Sequence, residues 1–193
     1  EDLGRIEYLL SDKTGTLTQN EMELKKLHLG TVSYAGDTMD LVADYISQNQ
    51  IDSNNHSHSM KTNSRRDLGT RVRDLIYTLA ICHNVTPSYE DGELSYQAAS
   101  PDEIAIVKFT ESVGLCLVKR DRTSLTLCHQ ETNQLFEYQI LQVFPFSSDT
   151  KRMGIVILDV ANDTLWFLEK GADTVMMPIV QQNDWLEEET GNM

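Results

Sequence analysis

The sequence predicts an α+β fold, an antiparallel twisted sheet flanked by helices, together with an N-terminal strand and loop that belong to a separate α/β domain. Three observations predict it. Apolar residues recur at helical spacing in two segments in the middle of the chain. Five segments of strand character then follow, several of them separated by short turns, as is typical of antiparallel neighbours. Near the start, an apolar run ends in an acidic, glycine-containing loop.

The N-terminal part comprises residues 1–22. Residues 6–10 predict a buried strand that carries Asp12 at its C-terminal end, where open α/β sheets hold reactive groups. A carboxylate there can attack a phosphoryl group and form an aspartyl phosphate, provided that Mg²⁺ bridges the two negative charges. Lys13 would neutralise further charge, and Thr14 would offer its carbonyl oxygen to the metal. The alternative is a turn that Asp12 merely caps.

Thr14 also limits the chemistry. A phosphatase of this general type needs an acid two positions after the nucleophile, to protonate the leaving group and later to activate water. A threonine cannot do this. We therefore expect a phosphorylated Asp12 to persist long enough to drive another process.

The remaining residues, 23–193, predict the main domain. Residues 24–34 suit an extended connector or strand, and residues 39–46 a short helix. Residues 48–66 are mostly Asn, Ser, Gln and His with little to bury, so they predict a disordered or loosely held insert.

Two firmer helices and five strands follow this insert. The apolar stripe from Leu68 predicts a helix that ends near His83, whose ring we expect to make structural hydrogen bonds. Ser100 as N-cap, Pro101 in the first turn and Glu103 completing a capping box predict the start of the second helix. The predicted strands are residues 115–119, 124–129, 136–143, 153–159 and 164–169.

Composition excludes some functions. The net charge of −14 argues against binding to nucleic acid or docking on anionic lipid. No run approaches the roughly 20 apolar residues of a membrane helix, and there is no signal-peptide pattern at the start, so we expect a cytosolic piece. The three cysteines form no C-x-x-C pair, which favours reduced thiols.

Four strings carry a family resemblance. Residues 11–22 (Ser-Asp-Lys-Thr-Gly-Thr-Leu-Thr-Gln-Asn-Glu-Met) resemble the phosphorylation motif of P-type ATPases. Three more are similar to strings of the lipid-flippase (type IV) class. Two further stretches, residues 28–34 and 183–189, are most like the subgroup typified by the yeast neomycin-resistance flippase. The three type IV strings are Cys-His-Asn at 82–84, Tyr-Gln-Ala-Ala-Ser-Pro-Asp-Glu at 96–103 and Lys-Gly-Ala-Asp at 170–173.

This resemblance implies a site for ATP with Mg²⁺. The residue that matches Glu103 faces the adenine amino group, the one that matches Phe146 stacks on the adenine ring, and the one that matches Lys170 lines the adenosine pocket. Thr150 departs from the pattern, because type IV relatives commonly carry a basic residue there. One contact to ribose or phosphate would then be weaker, or Lys151 or Arg152 would supply it. The implied nucleotide-binding residues are Asp12, Lys13, Thr14, Glu103, Phe146, Ser148, Lys151 and Lys170, and the implied metal ligands are Asp12 and Thr14.

The resemblance also implies a mechanism. The main domain would grip ATP and swing its γ-phosphate to Asp12, and the phosphoenzyme would drive phospholipid movement in a membrane region that this chain lacks, at Golgi and endosomal membranes and without an obligatory accessory subunit. The isolated chain would bind ATP without turnover. Two alternatives are a HAD-like soluble phosphotransferase, against which Thr14 argues, and a non-catalytic ATP-sensing module in which Asp12 is never phosphorylated.

Overall fold

The computed structural model describes residues 4, 7–13, 15–19, 21–30, 32–52, 67–90 and 92–180. Four α-helices, a short 3-10 helix (Gly36–Met39) and nine strands occur in these ranges. In chain order the strands and α-helices are β1 (Lys26–His28), β2 (Ser33–Ala35), α1 (Asp40–Asp52), α2 (Leu68–Ile81), β3 (Thr86–Glu90), β4 (Glu93–Gln97), α3 (Pro101–Ser112), β5 (Leu115–Arg120), β6 (Ser124–His129), β7 (Gln134–Phe144), β8 (Arg152–Asp159), β9 (Thr164–Gly171) and α4 (Asp173–Met176).

The main sheet has five strands in the order β5-β6-β7-β8-β9, each antiparallel to the next. All five strands predicted from the sequence are present, with ends that differ by no more than two residues. The α+β prediction is therefore confirmed. Residues 24–34, predicted as an extended connector or strand, include β1 and most of β2, which form a small hairpin that ends at Ala35. Strands β3 and β4 form a second hairpin.

Helices α2 and α3 cover one face of the main sheet. Side chains of β5, β6 and β8 alternate between this buried face and the opposite one, and those on the buried face join Ala80 of α2 and Val107 of α3 in one apolar cluster. Full burial of one such aliphatic side chain is worth about 1.5–3 kcal/mol. The strand residues of this cluster include Leu117, Leu125, Leu127, Ile155 and Ile157. This packing holds the ends of α2, α3, β8 and β9 in place, and the candidate functional side chains lie at these ends.

Two predictions about the first part of the chain are wrong or incomplete. Residues 8–12 have no regular secondary structure, and Tyr8, Leu9 and Leu10 are almost fully exposed. The strand predicted at 6–10 is therefore absent from its described residues, 7–10. A strand is stabilised by a neighbour that accepts and donates its backbone hydrogen bonds, and the described residues pair no strand with this segment.

Helix α1 continues to Asp52, so the first five residues of the insert predicted at 48–66 are helical. No glycine or proline interrupts these residues, which explains why the helix extends past residue 46. Residues 53–66 lie outside the described ranges. Within the described ranges, no helix has both the length and the apolar character needed to cross a bilayer.

Candidate functional site

The structure brings two predicted site residues, Glu103 and Lys170, into direct contact. Glu103 lies in the first turn of α3, and Lys170 is the second-last residue of β9. The Lys170 ammonium Nζ donates to Oε1 of Glu103 over 3.0 Å. The side chain of Lys170 is only 24% exposed and that of Glu103 only 15%. An ion pair that is this shielded from water is screened less than a surface pair, so it fixes the position of both groups.

The second carboxylate oxygen of Glu103 is also occupied. Oε2 accepts a hydrogen bond from the backbone N–H of Asn84 over 3.2 Å. The predicted capping box is therefore wrong. Ser100 occupies the N-cap position and Pro101 the first turn, as predicted, but the Ser100 side chain makes no cap hydrogen bond. Hydrogen bonds between charged groups are about twice as strong as neutral ones, so the carboxylate turns towards Lys170 instead of back to the helix start.

Cys82, the first residue after α2, packs against β8 and β9 near the end of the sheet that holds this pair. Its Sγ is fully buried and lies 3.7 Å from the carbonyl oxygens of both Met153 and Leu168. Burial raises the pKa of the Cys82 thiol to about 11. The thiol therefore stays protonated and acts as a packing group that joins the end of α2 to β8 and β9.

His83 has the structural role that the sequence predicted. Its ring is fully buried, its Nε2 lies 2.8 Å from the carbonyl oxygen of Ala80, and its Nδ1 accepts from the N–H of Val85 over 3.0 Å. These partners fix the neutral tautomer with the proton on Nε2. Burial, reinforced by the positive charge of Arg120, lowers the pKa of His83 to about 3. The neutral ring of His83 therefore stabilises the turn that follows α2, through its hydrogen bonds with Ala80 and Val85.

The loop that holds Phe146, Ser148 and Lys151 lies at the same end of the sheet as Lys170. The N–H of Ala172 donates to the carbonyl oxygen of Lys151 over 3.0 Å, which ties this loop to the end of β9. Phe146 is 61% exposed, and Ser148 and Lys151 are exposed as well. An aromatic ring this exposed, at this end of the sheet, can stack on a planar ligand.

Thr150 and Arg152 both have structural partners. The Thr150 hydroxyl lies 2.8 Å from that of Ser147 and its N–H donates to the same oxygen, which closes the turn before β8. Arg152 forms an ion pair with Glu169, with 3.2 Å between Nε and Oε1. Of the two basic residues expected to replace the missing one at position 150, Lys151 is thus the better placed to contact a ligand.

Gly171 permits a close approach of two strands. A Cβ at this position would lie 2.6 Å from the Cβ of Arg152 and 2.9 Å from the carbonyl oxygen of Lys151. Contacts this short do not occur between real side chains. The start of β8 therefore occupies the space that a side chain at position 171 would need.

Asp12 and Lys13 lie on an exposed N-terminal segment. Thr14 is outside the described residues. In the part of the chain that the structure describes, no hydrogen bond or ion pair joins Asp12 or Lys13 to the Glu103–Lys170 pair, and no group of three or more acidic, histidine or cysteine side chains could hold a metal ion. A carboxylate suits Mg²⁺, but Asp12 by itself supplies only a fragment of such a site.

Sequence reasoning missed two groups at this site. One is the backbone N–H of Asn84, which no side-chain pattern reveals. The other is Arg120, which is half-buried and donates from Nη1 to the carbonyl oxygen of Ile81 over 3.3 Å. A basic residue at the end of a strand that follows a helix was the available signal.

Comparison with known proteins identifies the family of this chain. The family model for the P-type ATPase cytoplasmic domain N matches residues 71–179, which include Glu103, Phe146 and Lys170. The chain therefore belongs to the P-type ATPase family.

Particular relatives agree with this assignment. The chain is 65% identical over 196 residues to the phospholipid-transporting ATPase NEO1 of Saccharomyces cerevisiae, an alignment that covers 100% of this chain and 17% of the yeast protein. It is 49% identical to neo1 of Schizosaccharomyces pombe over 194 residues (100% and 17%) and 45% identical to the probable phospholipid-transporting ATPase IIB of Homo sapiens over 225 residues (100% and 20%). The predicted resemblance to the type IV class and to the yeast subgroup is confirmed. The chain spans about a fifth of the length of these relatives.

Proposed function

We propose that this chain is the cytosolic ATP-binding segment of a phospholipid-translocating P-type ATPase. The observation that carries the proposal is the shielded Glu103–Lys170 pair at the end of the sheet where the exposed ring of Phe146 also lies. The adenine amino group is a hydrogen-bond donor, and a carboxylate accepts only, so Glu103 is a matched partner. Lys170 supplies positive charge beside it in a chain whose net charge is −14.

In the full-length protein, Asp12 would accept the γ-phosphate of ATP and form an aspartyl phosphate, with Mg²⁺ held in part by Asp12 and Thr14. The domain formed by residues 23–193 would bring ATP to Asp12, and Lys13, Ser148 and Lys151 would contact the nucleotide. Positioning and charge neutralisation account for most of the acceleration of such a transfer. The names of the yeast and human relatives support phospholipid as the transported substrate. The full-length protein would act at Golgi and endosomal membranes and would not require an accessory subunit.

The isolated chain tests the nucleotide site directly. We expect ATP to bind with a Kd in the high micromolar to millimolar range, about −4 to −6 kcal/mol, because most of the available contacts are to adenosine. Titration followed by NMR should shift the signals of Phe146, Glu103 and Lys170. Phe146→Ala should weaken binding about 5- to 10-fold, as expected for the loss of a stacking contact of about 1 kcal/mol or somewhat more.

Phe167 provides a matched control. It is an aromatic residue of nearly equal exposure, 59%. Its side chain lies on the face of β9 opposite to that of Lys170, because side chains alternate along a strand. Phe167→Ala should therefore leave the Kd within twofold of the wild-type value. An environment of Phe146 that ATP does not perturb, or equal losses for the two variants, would reject the pocket.

The phosphorylation step is tested in the full-length protein. Asp12→Asn should abolish ATP hydrolysis and the phosphoenzyme that labelled ATP forms, while ATP binding persists. An ATP sensor, in contrast, would keep its binding-linked response after this change. A soluble phosphotransferase would require the isolated chain to form a phosphoenzyme by itself, which we expect not to happen.

A further inference from the structure

Arg120 is a positively charged residue near the Glu103–Lys170 pair, and it lies on a strand that carries no predicted site residue. It is the last residue of β5. Its Nη1 donates to the carbonyl oxygen of Ile81, the last residue of α2. Carbonyl groups at the C-terminal end of a helix lack helical partners and carry partial negative charge. A guanidinium at this place therefore both satisfies an acceptor and stabilises the end of the helix.

The carbonyl group that Arg120 holds is close along the chain to the N–H that holds Glu103. Only Cys82 and His83 separate Ile81 from Asn84, and both are fully buried and hydrogen-bonded. The turn is thus fixed at its start by Arg120 and along its length by the two buried side chains. Its last N–H, that of Asn84, then donates to Oε2 of Glu103. A shift of this turn would move that donor relative to the carboxylate.

Electrostatics also link Arg120 to the site. Burial lowers the pKa of the Arg120 guanidinium, and the negative charge of Glu103 raises it part of the way back. The charge of Arg120 in turn helps to lower the pKa of His83. Arg120 therefore lies within electrostatic range of both Glu103 and His83.

We propose that Arg120 is a positioning residue for base recognition: by holding the turn 82–84, it fixes the orientation in which Glu103 accepts the exocyclic amine of adenine. The proposal rests on the proposed function and deepens it. Lys170 and Asn84 each occupy one oxygen of Glu103, but each carboxylate oxygen has two acceptor positions. An amine donor can therefore join a carboxylate that is already oriented. A base with a carbonyl oxygen in place of the amine gains nothing from that orientation.

The test compares ATP with inosine triphosphate, which has an oxygen in place of the exocyclic amine. Both Kd values are measured by calorimetry or NMR on the isolated chain. We expect wild-type protein to prefer ATP about tenfold, the gain typical of one hydrogen bond to a charged group. Arg120→Met should weaken ATP binding about fivefold and leave the binding of inosine triphosphate within twofold. Arg122→Met removes a nearby exposed arginine and should leave both values unchanged.

The outcomes separate the two proposals. Wild-type protein that binds neither nucleotide rejects the proposed function, and this inference with it. An equal loss for both nucleotides in Arg120→Met rejects only the inference, because a merely structural role would weaken both alike. Equal binding of the two nucleotides by wild-type protein rejects the inference and also the adenine contact of Glu103, while the proposal that the chain binds ATP stands. If Arg120→Met does not fold, Arg120→Lys is used instead, which replaces the planar guanidinium by an ammonium group. We expect this variant to reduce the preference for ATP over inosine triphosphate about threefold. An unchanged preference in that variant overturns the inference.

Discussion

The buried ring of His83 predicts how the stability of this chain depends on pH. In the folded state its pKa is lowered to about 3, whereas an unfolded histidine has a pKa of about 6.5. At pH 5.5 the unfolded chain therefore carries a proton at this position in about ten of eleven molecules, and the folded chain almost never does. Protonation of the ring would also remove the acceptor that Nδ1 offers to the N–H of Val85.

The sign and the size follow from proton linkage. Because the unfolded state binds more protons between the two pKa values, the free energy of unfolding falls as pH falls through this range. Between pH 7.5 and 5.5 the contribution of His83 changes by about RT ln 10, or about 1.4 kcal/mol. This value depends little on the folded pKa, as long as that pKa lies well below 5.5. The loss then continues down to about pH 3.

Urea denaturation followed by circular dichroism at pH 7.5 and 5.5 measures this contribution. His83→Gln provides the comparison, because its amide can still donate to the carbonyl oxygen of Ala80 but does not titrate. The wild-type protein should lose about 1.4 kcal/mol more than the variant between the two pH values. A loss that is the same in both proteins within about 0.5 kcal/mol would show that the ring of His83 is not held neutral by the fold, and the account of the turn would fail.

Two further predictions concern strand contacts. Gly171→Ala should destabilise the chain by about 1–3 kcal/mol in urea denaturation, because the new Cβ would lie 2.6 Å from that of Arg152; Gly4→Ala, whose Cβ meets nothing within 4 Å, should have no effect. Cys116 and Cys128 face each other at a hydrogen-bonded position of β5 and β6, where Cβ atoms are about 5.5 Å apart, beyond the range of a disulfide. After exposure to air, thiol titration in denaturant should count three thiols, and a count of one would contradict this.

The sheet was predictable because its signal is local. In β6, buried residues such as Leu125 and Leu127 alternate with partly exposed ones, and this period of two is visible in the sequence alone. Short turns then restrict each strand to an antiparallel neighbour. The same is true of α2, whose buried residues Val72 and Ile76 repeat at helical spacing. Periodicity and turn length were sufficient for these elements.

The predictions that failed depend on residues far away in the sequence. A capping box between Ser100 and Glu103 is the correct expectation for an isolated helix, but Lys170 lies 67 residues away and offers a charged partner. The strand predicted at 6–10 has the correct apolar pattern, yet a strand also needs a neighbour. No local pattern contains either kind of information.

The site combines two kinds of support that have different consequences for a ligand. Glu103 lies at the N-terminal end of α3, and the guanidinium of Arg120, from β5, contacts the C-terminal end of α2. Each charge therefore has the sign that the adjacent helix dipole stabilises. This helps to explain why a carboxylate and a guanidinium are tolerated where little water reaches them. Glu103 and Arg120 therefore form a rigid, preorganised group. Preorganised polar groups discriminate among ligands because they do not adapt to a wrong one.

Phe146 and Lys151, in contrast, are exposed on a loop. In the proposed site, an exposed stacking ring and an exposed ammonium group would accept any base and any phosphate chain, so they would contribute affinity with little selectivity. Substitutions in the rigid group should therefore change which nucleotide binds, and substitutions in the loop should change how tightly every nucleotide binds. The ratio of the ATP and inosine triphosphate affinities is the quantity that separates these two effects: Phe146→Ala should leave it unchanged, and Glu103→Gln should abolish it.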